Sequence, residues 1–283
     1  MDFKVRKARP SDRVPLMSFI KDVWGGHNYI PHVWDDWIKD RSAKMFVVDA
    51  DGSPVALNRV RFLRDGSAWF EGVRVHPHYR RMGLASKLGD NAMKVARDSG
   101  APVFRLTSGS RNKASHGQVA KMGFREIARY SVYEPGRRTR FHRRAGVRIA
   151  KEPDQDIVMR SIRGSREYRL GRGALWDGFA AMSLTPDVVE GMLTEESVYV
   201  SDGAVAIHRP GREGKEIWNQ IGYISGEAER AMDLVDTIFA MKGKFDWRFV
   251  MVPQGSPLIG ALRRHGCRRS FSNVLFERKA AKG

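Results

Sequence analysis

Two stretches of the chain repeat one order of amphipathic elements. In the first, residues 2–7 alternate apolar and polar positions like a short edge strand. Ser11 or Asp12 can cap a helix running toward Trp24, since a short side-chain oxygen satisfies free N–H groups at a helix start. "GGHNYIP" reads as a loop and "HVWDDWIKD" as a second short helix. Residues 44–75 read as a meander of three β-rich runs separated by the turn signals "DADG" and "RDG". Leu84 to Ser99 predicts a helix with Leu84, Leu88, Ala92 and Val95 on one side, ending at Gly100 with Pro102 beyond. "VFRLT" is a buried-type strand, Asn112 to Met122 a helix closed by Gly123, and "FREIARYSVYE" a last strand ending near residue 134.

The second stretch follows an arginine-rich segment. "SVYVSDGAVAIHRPG" gives two strands around Asp202-Gly203, and "KEIWNQIGYI" a third. Glu227 to Met241 is helical, "WRFVMV" a strand, "SPLIGALRRHG" a short helix and "SFSNVLFERK" a final strand. This is the β-β-β-α-β-α-β order of residues 44–134. Sliding one half on the other by 143 positions lays Gly266-Cys267-Arg268 on Gly123-Phe124-Arg125. The expectation is an α/β protein with mixed sheets, built by a diverged internal duplication rather than from two unrelated halves.

Charge is unevenly placed. The chain of 283 residues has a formal net charge of +18. Residues 1–150 carry 30 Lys/Arg against 14 Asp/Glu, and the remainder 20 against 18. The densest part, "GRRTRFHRRAGVR", holds Arg137, Arg138, Arg140, Arg143, Arg144 and Arg148 with no acid. Such an excess attracts polyanions, and as a solvated linker it would do so weakly and non-specifically. The single cysteine, Cys267, excludes an internal disulfide framework. With no signal-peptide core at the start and no apolar run of the ~20 residues a bilayer requires, a soluble cytoplasmic protein without membrane partners is the expectation.

The most informative segment is "VRVHPHYRRMGLASKLG", where a strand passes through Pro77 to Arg80, Arg81 and Gly83 before a helix. A helix start presents free N–H groups and the positive end of its dipole, so an anion is stabilised there without a side chain. Gly83 permits close approach of a ligand. There is no Gly-Lys-Ser/Thr of the Walker type, and one of the three glycines of the dinucleotide type. Together with "RLTSGSRNKASHGQVAKMGF", the segment resembles the GNAT superfamily of N-acetyltransferases. Its R-x-x-G-x-G/A signature is carried by Arg80, Gly83 and Ala85, and its helix signature by Asn112, Gly123 and Phe124. The resemblance spans roughly residues 2–134.

That resemblance implies acetyl-CoA as cosubstrate. The pyrophosphate would lie on Arg81, Met82, Gly83, Leu84 and Ala85, with Arg80 and Ser86 close by. The pantetheine arm would pair with Val73, Arg74 and Val75, and Asn112 would bond the thioester end, although its position also suits a helix N-cap. N-acetylation needs a neutral amine, and amines are largely protonated at neutral pH, so a general base is useful. Glu71 is the candidate. Period-two alternation puts it on the face of Val73 and Val75, although an ordinary exposed strand glutamate reads the same way. Many family members place an acidic tyrosine seven residues after the asparagine, where this chain has Val119. His116 is one substitute, Ser108 and Tyr130 are weaker ones, and a surface histidine is the alternative reading of His116. His76-x-His78 lacks a third ligand nearby, so no metal site is expected.

"GGHNYIPHVWDDW" resembles the corresponding segment of vertebrate histidine N-acetyltransferase-like proteins. It suggests a small amine or amino acid as acceptor, with His27, Tyr29, Trp34 and Asp35 as contacts and Asp36 beside them. The second half lacks the phosphate signature: "ISGEAERAMDL" sets Glu227 and Glu229 against phosphate. The expected organisation is a GNAT domain at 1–135, a basic linker at 136–165 and a degenerate GNAT-like domain at 166–283. An acyltransferase acting on a primary amine is the reading. The alternatives are a protein or peptide N-acetyltransferase, or a non-catalytic CoA-binding or RNA-associated module.

Overall fold

The computed structural model describes residues 2–23 and 28–280. Its first half runs β1 (Phe3–Lys7), α1 (Arg13–Ile20), α2 (Ile30–Lys39), β2 (Ala43–Ala50), β3 (Ser53–Phe62), β4 (Ala68–Val75), α3 (Leu84–Asp98), β5 (Val103–Gly109), α4 (Lys113–Lys121) and β6 (Arg125–Pro135). The second runs β7 (Arg148–Ile149), α5 (Gln155–Gly164), α6 (Arg166–Leu170), β8 (Ala174–Asp177), β9 (Ala180–Ser183), α7 (Pro186–Thr194), β10 (Val198–Ser201), β11 (Ala204–His208), β12 (Gly211–Glu213), β13 (Glu216–Ser225), α8 (Ala228–Phe239), β14 (Trp247–Pro253), α9 (Leu258–Arg264) and β15 (Cys267–Lys279). Residues 24–27 of the expected first helix and loop lie outside the described residues. No helix among the described residues is long and apolar enough to cross a membrane.

The two halves share one sheet of order β1-β2-β3-β4-β5-β15-β6-β14-β13-β11-β10-β7, with β12 attached to β13. The final strands are exchanged. β15 of the second half lies antiparallel between β5 and β6, and β6 of the first half pairs antiparallel with β14. Neither half could close its sheet alone in this arrangement. Leu275 and Val274 on β15 are fully buried. They pack into clusters with Trp69 and Phe104 of the first half, so apolar burial crosses the seam.

The repeat extends further than the slide of the strands indicated. Asp12 accepts both Nη groups of Arg6 at 2.8 Å and the Arg9 amide at 2.7 Å. Asp154 does the same with Arg148 at 2.7 and 2.9 Å and the Lys151 amide at 2.9 Å. Each aspartate closes a 3-10 turn leading into a helix, α1 or α5. Asp12 is thus a buried ion-pair hub rather than a simple cap on α1.

Residues 155–164, inside the segment expected as linker, form α5 and bury Val158, Met159 and Ile162. The i, i+1, i+4 spacing of those residues is that of a helix face. Arg144 is paired with Asp236, and Arg148 with Asp154, so two of the arginines expected in a solvated run are tied down.

α1 and α2 cover one face of the first half's sheet, with Leu16, Ile20, Ile30, Val33, Trp34 and Trp37 against Val47 and Leu57. α3 covers the other, with Leu84 and Leu88 against Phe46, Val48 and Ala56. The site opens where these layers meet the second half.

Candidate functional site

β4 pairs with its parallel neighbour β5 only at Ala68–Phe104 and Trp69–Arg105. Beyond Trp69 the strands part. A bulge sits in this splayed segment: the β3–β4 register slips between Leu57–Arg74 and Arg59–Glu71. Gly72 makes it possible. Its φ is +71°, and a β-carbon there would lie 2.8 Å from the Trp37 ring. The bulge corrects the alternation expected for this strand. Glu71 shares its face with Arg74, not with Val73 and Val75, because the extra residue shifts the pleat by one.

From β4 the chain turns through Pro77–Tyr79 into α3. Arg81 and Gly83 both have left-handed backbone, at φ +67° and +78°. Gly83 is the N-cap of α3 and brings no side chain to the free amides of the first turn. A β-carbon at Gly83 would meet nothing within 4 Å, so the cradle is open. Successive amides in such a concavity bind anions. Gln118 of α4 donates to Ser86 Oγ at 2.9 Å and fixes the neighbouring turn. Arg80 and Ala85 border the same cleft, while Arg81 and Met82 are exposed at its rim. These features fit the diphosphate of CoA.

The cleft measures about 2360 Å³ and continues from this turn, past the splayed strands, to the second half. Tyr29 and Trp37 line it from the first half, with ring centroids 5.7 Å apart at 70°. Phe179, Trp218, Trp247 and Phe271 line it from the second. Phe179 lies 5.6 Å from Trp247 and 6.0 Å from Phe271. Between these walls is a set of charges. Arg59 donates to both Asp40 and Glu71 and lies 4.8 Å over the Trp37 ring. Arg74 bonds Asn28 Oδ1 at 3.2 Å and lies 5.6 Å over the Tyr29 ring. Burial raises the Tyr29 hydroxyl above its ordinary range and pulls the Arg74 guanidinium down. Glu213 of β12 enters from the second half. Burial first, then the charge of Glu71, pushes its carboxyl up to about 7 against the pull of Arg61, Trp37 and Arg59.

Residues 15–124 match the Acetyltransferase (GNAT) family. This segment, under half of the chain, is similar to that family. The GCN5-related N-acetyltransferase of Sphaerobacter thermophilus is similar over 98% of this chain and 95% of its own, with a TM-score of 0.63 at 15% identity. That of Kribbella flavida is similar over 98% of this chain and 72% of its own, with a TM-score of 0.52 at 16% identity. The fold is therefore shared across both halves. In sequence, 89 residues are 30% identical to the histidine N-acetyltransferase of Oreochromis niloticus, covering 31% of this chain and 26% of that protein. The Xenopus tropicalis histidine N-acetyltransferase is 27% identical over 135 residues, 46% of this chain and 38% of its own. The chain thus aligns with well under half the length of these relatives.

The expected site residues separate into groups. Val73, Arg74, Val75, Arg80, Ala85 and Asn112 border the cleft. Asn112 caps α4 by accepting the Ser115 amide at 3.1 Å. His116 does not face the cleft: Nε2 meets the Gly109 carbonyl at 3.0 Å and its ring lies 5.1 Å from Phe276, outside the lining. Val119 is buried and borders the cleft. Tyr130 is spent elsewhere, donating to the Gly171 carbonyl at 3.0 Å. On the acceptor side Tyr29 borders the cleft, and His27 lies outside the described residues. Trp34 and Asp35 are corrected. Trp34 is 1% exposed within the α1–α2 core, and Asp35 points outward to Arg13 at 3.7 Å. Helical geometry explains both, since Ile30, Val33, Trp34 and Trp37 form the buried stripe of α2. Asp36, not Asp35, borders the cleft.

Sequence reasoning missed Glu213 and the aromatic wall of the second half. The turn residues of "RPGREGK" signal the hairpin that carries Glu213, but nothing local shows that its tip reaches α2. A second groove of about 920 Å³ adjoins the cleft at Arg269 and lies at the C-terminal end of α9, bordered by Arg137, Arg138, Arg263, Arg264, Arg268 and Arg269, with Glu134 as its acid.

Proposed function

We propose that the chain transfers the acetyl group of acetyl-CoA to the primary amine of a small acceptor, an amino acid or similar amine. The observation that carries this reading is one cleft with an open amide cradle at Gly83 at one end and walls from both halves at the other. The walls suit a ligand whose surface is mostly buried, and they oppose a long peptide lying across the sheet. The acceptor end offers aromatic faces and carboxylates, which favour an ammonium group beside a flat side chain. The named activity of the histidine N-acetyltransferases, similar over part of this chain, agrees with that chemistry. On this reading residues 1–135 hold CoA, with Arg80–Ser86 taking the phosphates and Val73–Val75 the pantetheine arm. Residues 166–283 complete the acceptor site. Acetyl transfer joins the amine nitrogen to the acetyl carbon as the carbon–sulfur bond breaks, and the thiolate leaves. A thiol of reference pKa near 8.5 leaves without a strong acid, so Val119 does not bar the reaction.

Thiol release on mixing acetyl-CoA with a library of amino acids, amines and peptides tests the reading. Small amines are expected to lead. Peptides turned over far faster than every free amine would replace the acceptor assignment, and CoA binding without thiol release would leave a non-catalytic module. The six-arginine groove adds a weak affinity for polyanions. Binding of a short single-stranded oligonucleotide is expected to fall by about 10²- to 10³-fold between roughly 50 and 200 mM salt, without sequence preference. Tight, sequence-selective RNA binding at physiological salt would overturn this.

A further inference from the structure

The second half supplies more than a wall. We infer that Glu213, on the β12–β13 hairpin, is the group that takes the proton from the acceptor ammonium, while Glu71 is held in its pair with Arg59. This rests on the acetyl-transfer reading above.

β12 pairs with β13 through Gly211–Trp218 and Glu213–Glu216, which makes a tight hairpin closed by Gly214-Lys215. Its tip reaches across to the first half: a β-carbon on Gly214 would lie 2.6 Å from the His32 carbonyl oxygen of α2. That contact carries Glu213 into the same cleft as Glu71. The groups facing Glu213 are Glu71 from β4, Arg59 and Arg61 from β3, Trp37 and Tyr29 from the α2 region, and Glu216 from the opposed strand.

The two carboxylates differ in what they are already doing. Glu71 accepts from Arg59, whose other branch donates to Asp40, and Arg61 Nε lies 4.0 Å away. Its charge is committed to that pair. Glu213 has no ion pair of its own within 4 Å among the described residues, and the Trp37 indole is directed at it. Burial and the charge of Glu71 push its carboxyl up to about 7. A base is most effective when its pKa is near the working pH. An α-amino group has a reference pKa of about 7.7–8, close enough for transfer in the cleft. The Glu213 carboxylate takes one proton from R–NH₃⁺, leaving R–NH₂ and a neutral Glu213 carboxyl. The amine lone pair then forms the N–C bond while the C–S pair departs on sulfur. The second nitrogen proton leaves with bond formation and the thiolate takes one up, so the sum is amide, thiol and one proton released to solvent.

The test compares Glu213→Gln with Glu71→Gln, using the best amine found by thiol release. For wild type, kcat/KM is expected to rise through pH 7. In Glu213→Gln it should fall by about 100-fold at pH 7 and then follow the amine's own ionisation, recovering at high pH. Glu71→Gln should keep the base-dependent limb but shift it to lower pH, because the charge that raises Glu213 is gone. CoA affinity, measured by calorimetry, should be unchanged in Glu213→Gln, which also reports that it is folded. Carboxyl carbon NMR on the wild type should show one glutamate titrating near pH 7, absent in Glu213→Gln. A wild-type profile in Glu213→Gln, or no glutamate titrating above pH 6, overturns this inference and leaves acetyl transfer standing. A wild type that releases thiol with no amine overturns both.

Discussion

α3 and α8 hold the same place in the two halves, and they begin in opposite ways. α3 starts from Gly83 in left-handed backbone, with no side chain on its first amides and open space where one would be. α8 starts from Glu227 in extended backbone, and that carboxylate accepts the Glu229 and Arg230 amides at 3.2 and 3.3 Å. The second helix has filled its own anion site with its own anion. The strand wedge differs in the same sense. β4 and β5 keep two paired positions, whereas β13 and β14 pair from Trp218–Trp247 to Ile221–Val250. What remains open beyond them is filled by the segment around α6. The Tyr223 hydroxyl meets Ser165 Oγ at 2.9 Å, and Glu167 accepts from Ser256 at 2.9 Å. One scaffold therefore yields an open site in one copy and a sealed one in the other. The difference lies in the helix cap, in the strand pairing and in the segment that fills the wedge.

The largest expected effect breaks the seam that makes the two copies one unit. Arg105 of β5 donates to Asp65 at 2.7 Å, to Glu277 of β15 at 2.9 Å and to Ser183 of β9 at 2.7 Å. The Arg105 guanidinium and the Asp65 carboxylate are buried, so removing one partner leaves buried charge uncompensated. Arg105→Ala is expected to cost about 3–5 kcal/mol, read as the shift in urea unfolding. The pH dependence has a defined sign. Burial would raise the Asp65 carboxyl, but Ser67, the Ser183 amide and Arg105 together hold it below its ordinary range. Its contribution is complete above the unfolded carboxyl pKa, near 3.9, and is lost as pH falls through the lower folded value. Arg105→Ala should therefore also unfold at higher pH on acid titration. Independent unfolding of the halves in the wild type would contradict the exchanged strands as a single cooperative unit.

Next in size is the substitution that makes α3 begin as α8 does. Gly83→Glu should weaken CoA binding by about 100-fold or more, since it fills the cradle and reverses its charge. Gly83→Ala is the control, carrying about 1 kcal/mol or more of backbone strain from the positive φ without the charge. Calorimetric CoA affinity unchanged in Gly83→Glu would remove the turn as the phosphate site.

Most of the element order was legible, because strands and helices announce themselves by period and by Gly-containing turns. The open and filled helix starts were legible too, as Gly83 and Glu227. Face assignments failed where one residue broke the period. Gly72 bulges β4 and turns Glu71 toward Arg74, although a glycine in a strand is itself a bulge signal. The α2 stripe of Ile30, Val33, Trp34 and Trp37 was readable as a buried face and would have placed Trp34 inside. The Arg6–Asp12 and Arg148–Asp154 pairs lie in near-identical frames, "VRKARPSD" and "VRIAKEPD", and mark the duplication before the strands do. The exchange of β6 and β15, and the reach of Glu213 to Glu71, are contacts across more than 100 residues. No local pattern encodes them.

The smallest effect sharpens the comparison most. Glu227→Ala removes the side chain that occupies the α8 start. Loss of such a cap should cost about 1 kcal/mol, within a range of roughly 0.5–2. If the capping carboxylate alone kept phosphate away, the variant would gain a second CoA site, and calorimetric stoichiometry would rise toward two per chain. The geometry argues against that. Behind the α8 start, a β-carbon on Gly222 would lie 1.9 Å from the Trp176 carbonyl oxygen, so β8 occupies the space a second arm would need. Tyr223 and Glu167 hold α6 in the wedge from the other side. The expected result is a slightly less stable protein that still binds one CoA. A stoichiometry of two would show that the sealed copy differs from the open one by a single removable anion, and that the filled wedge is incidental.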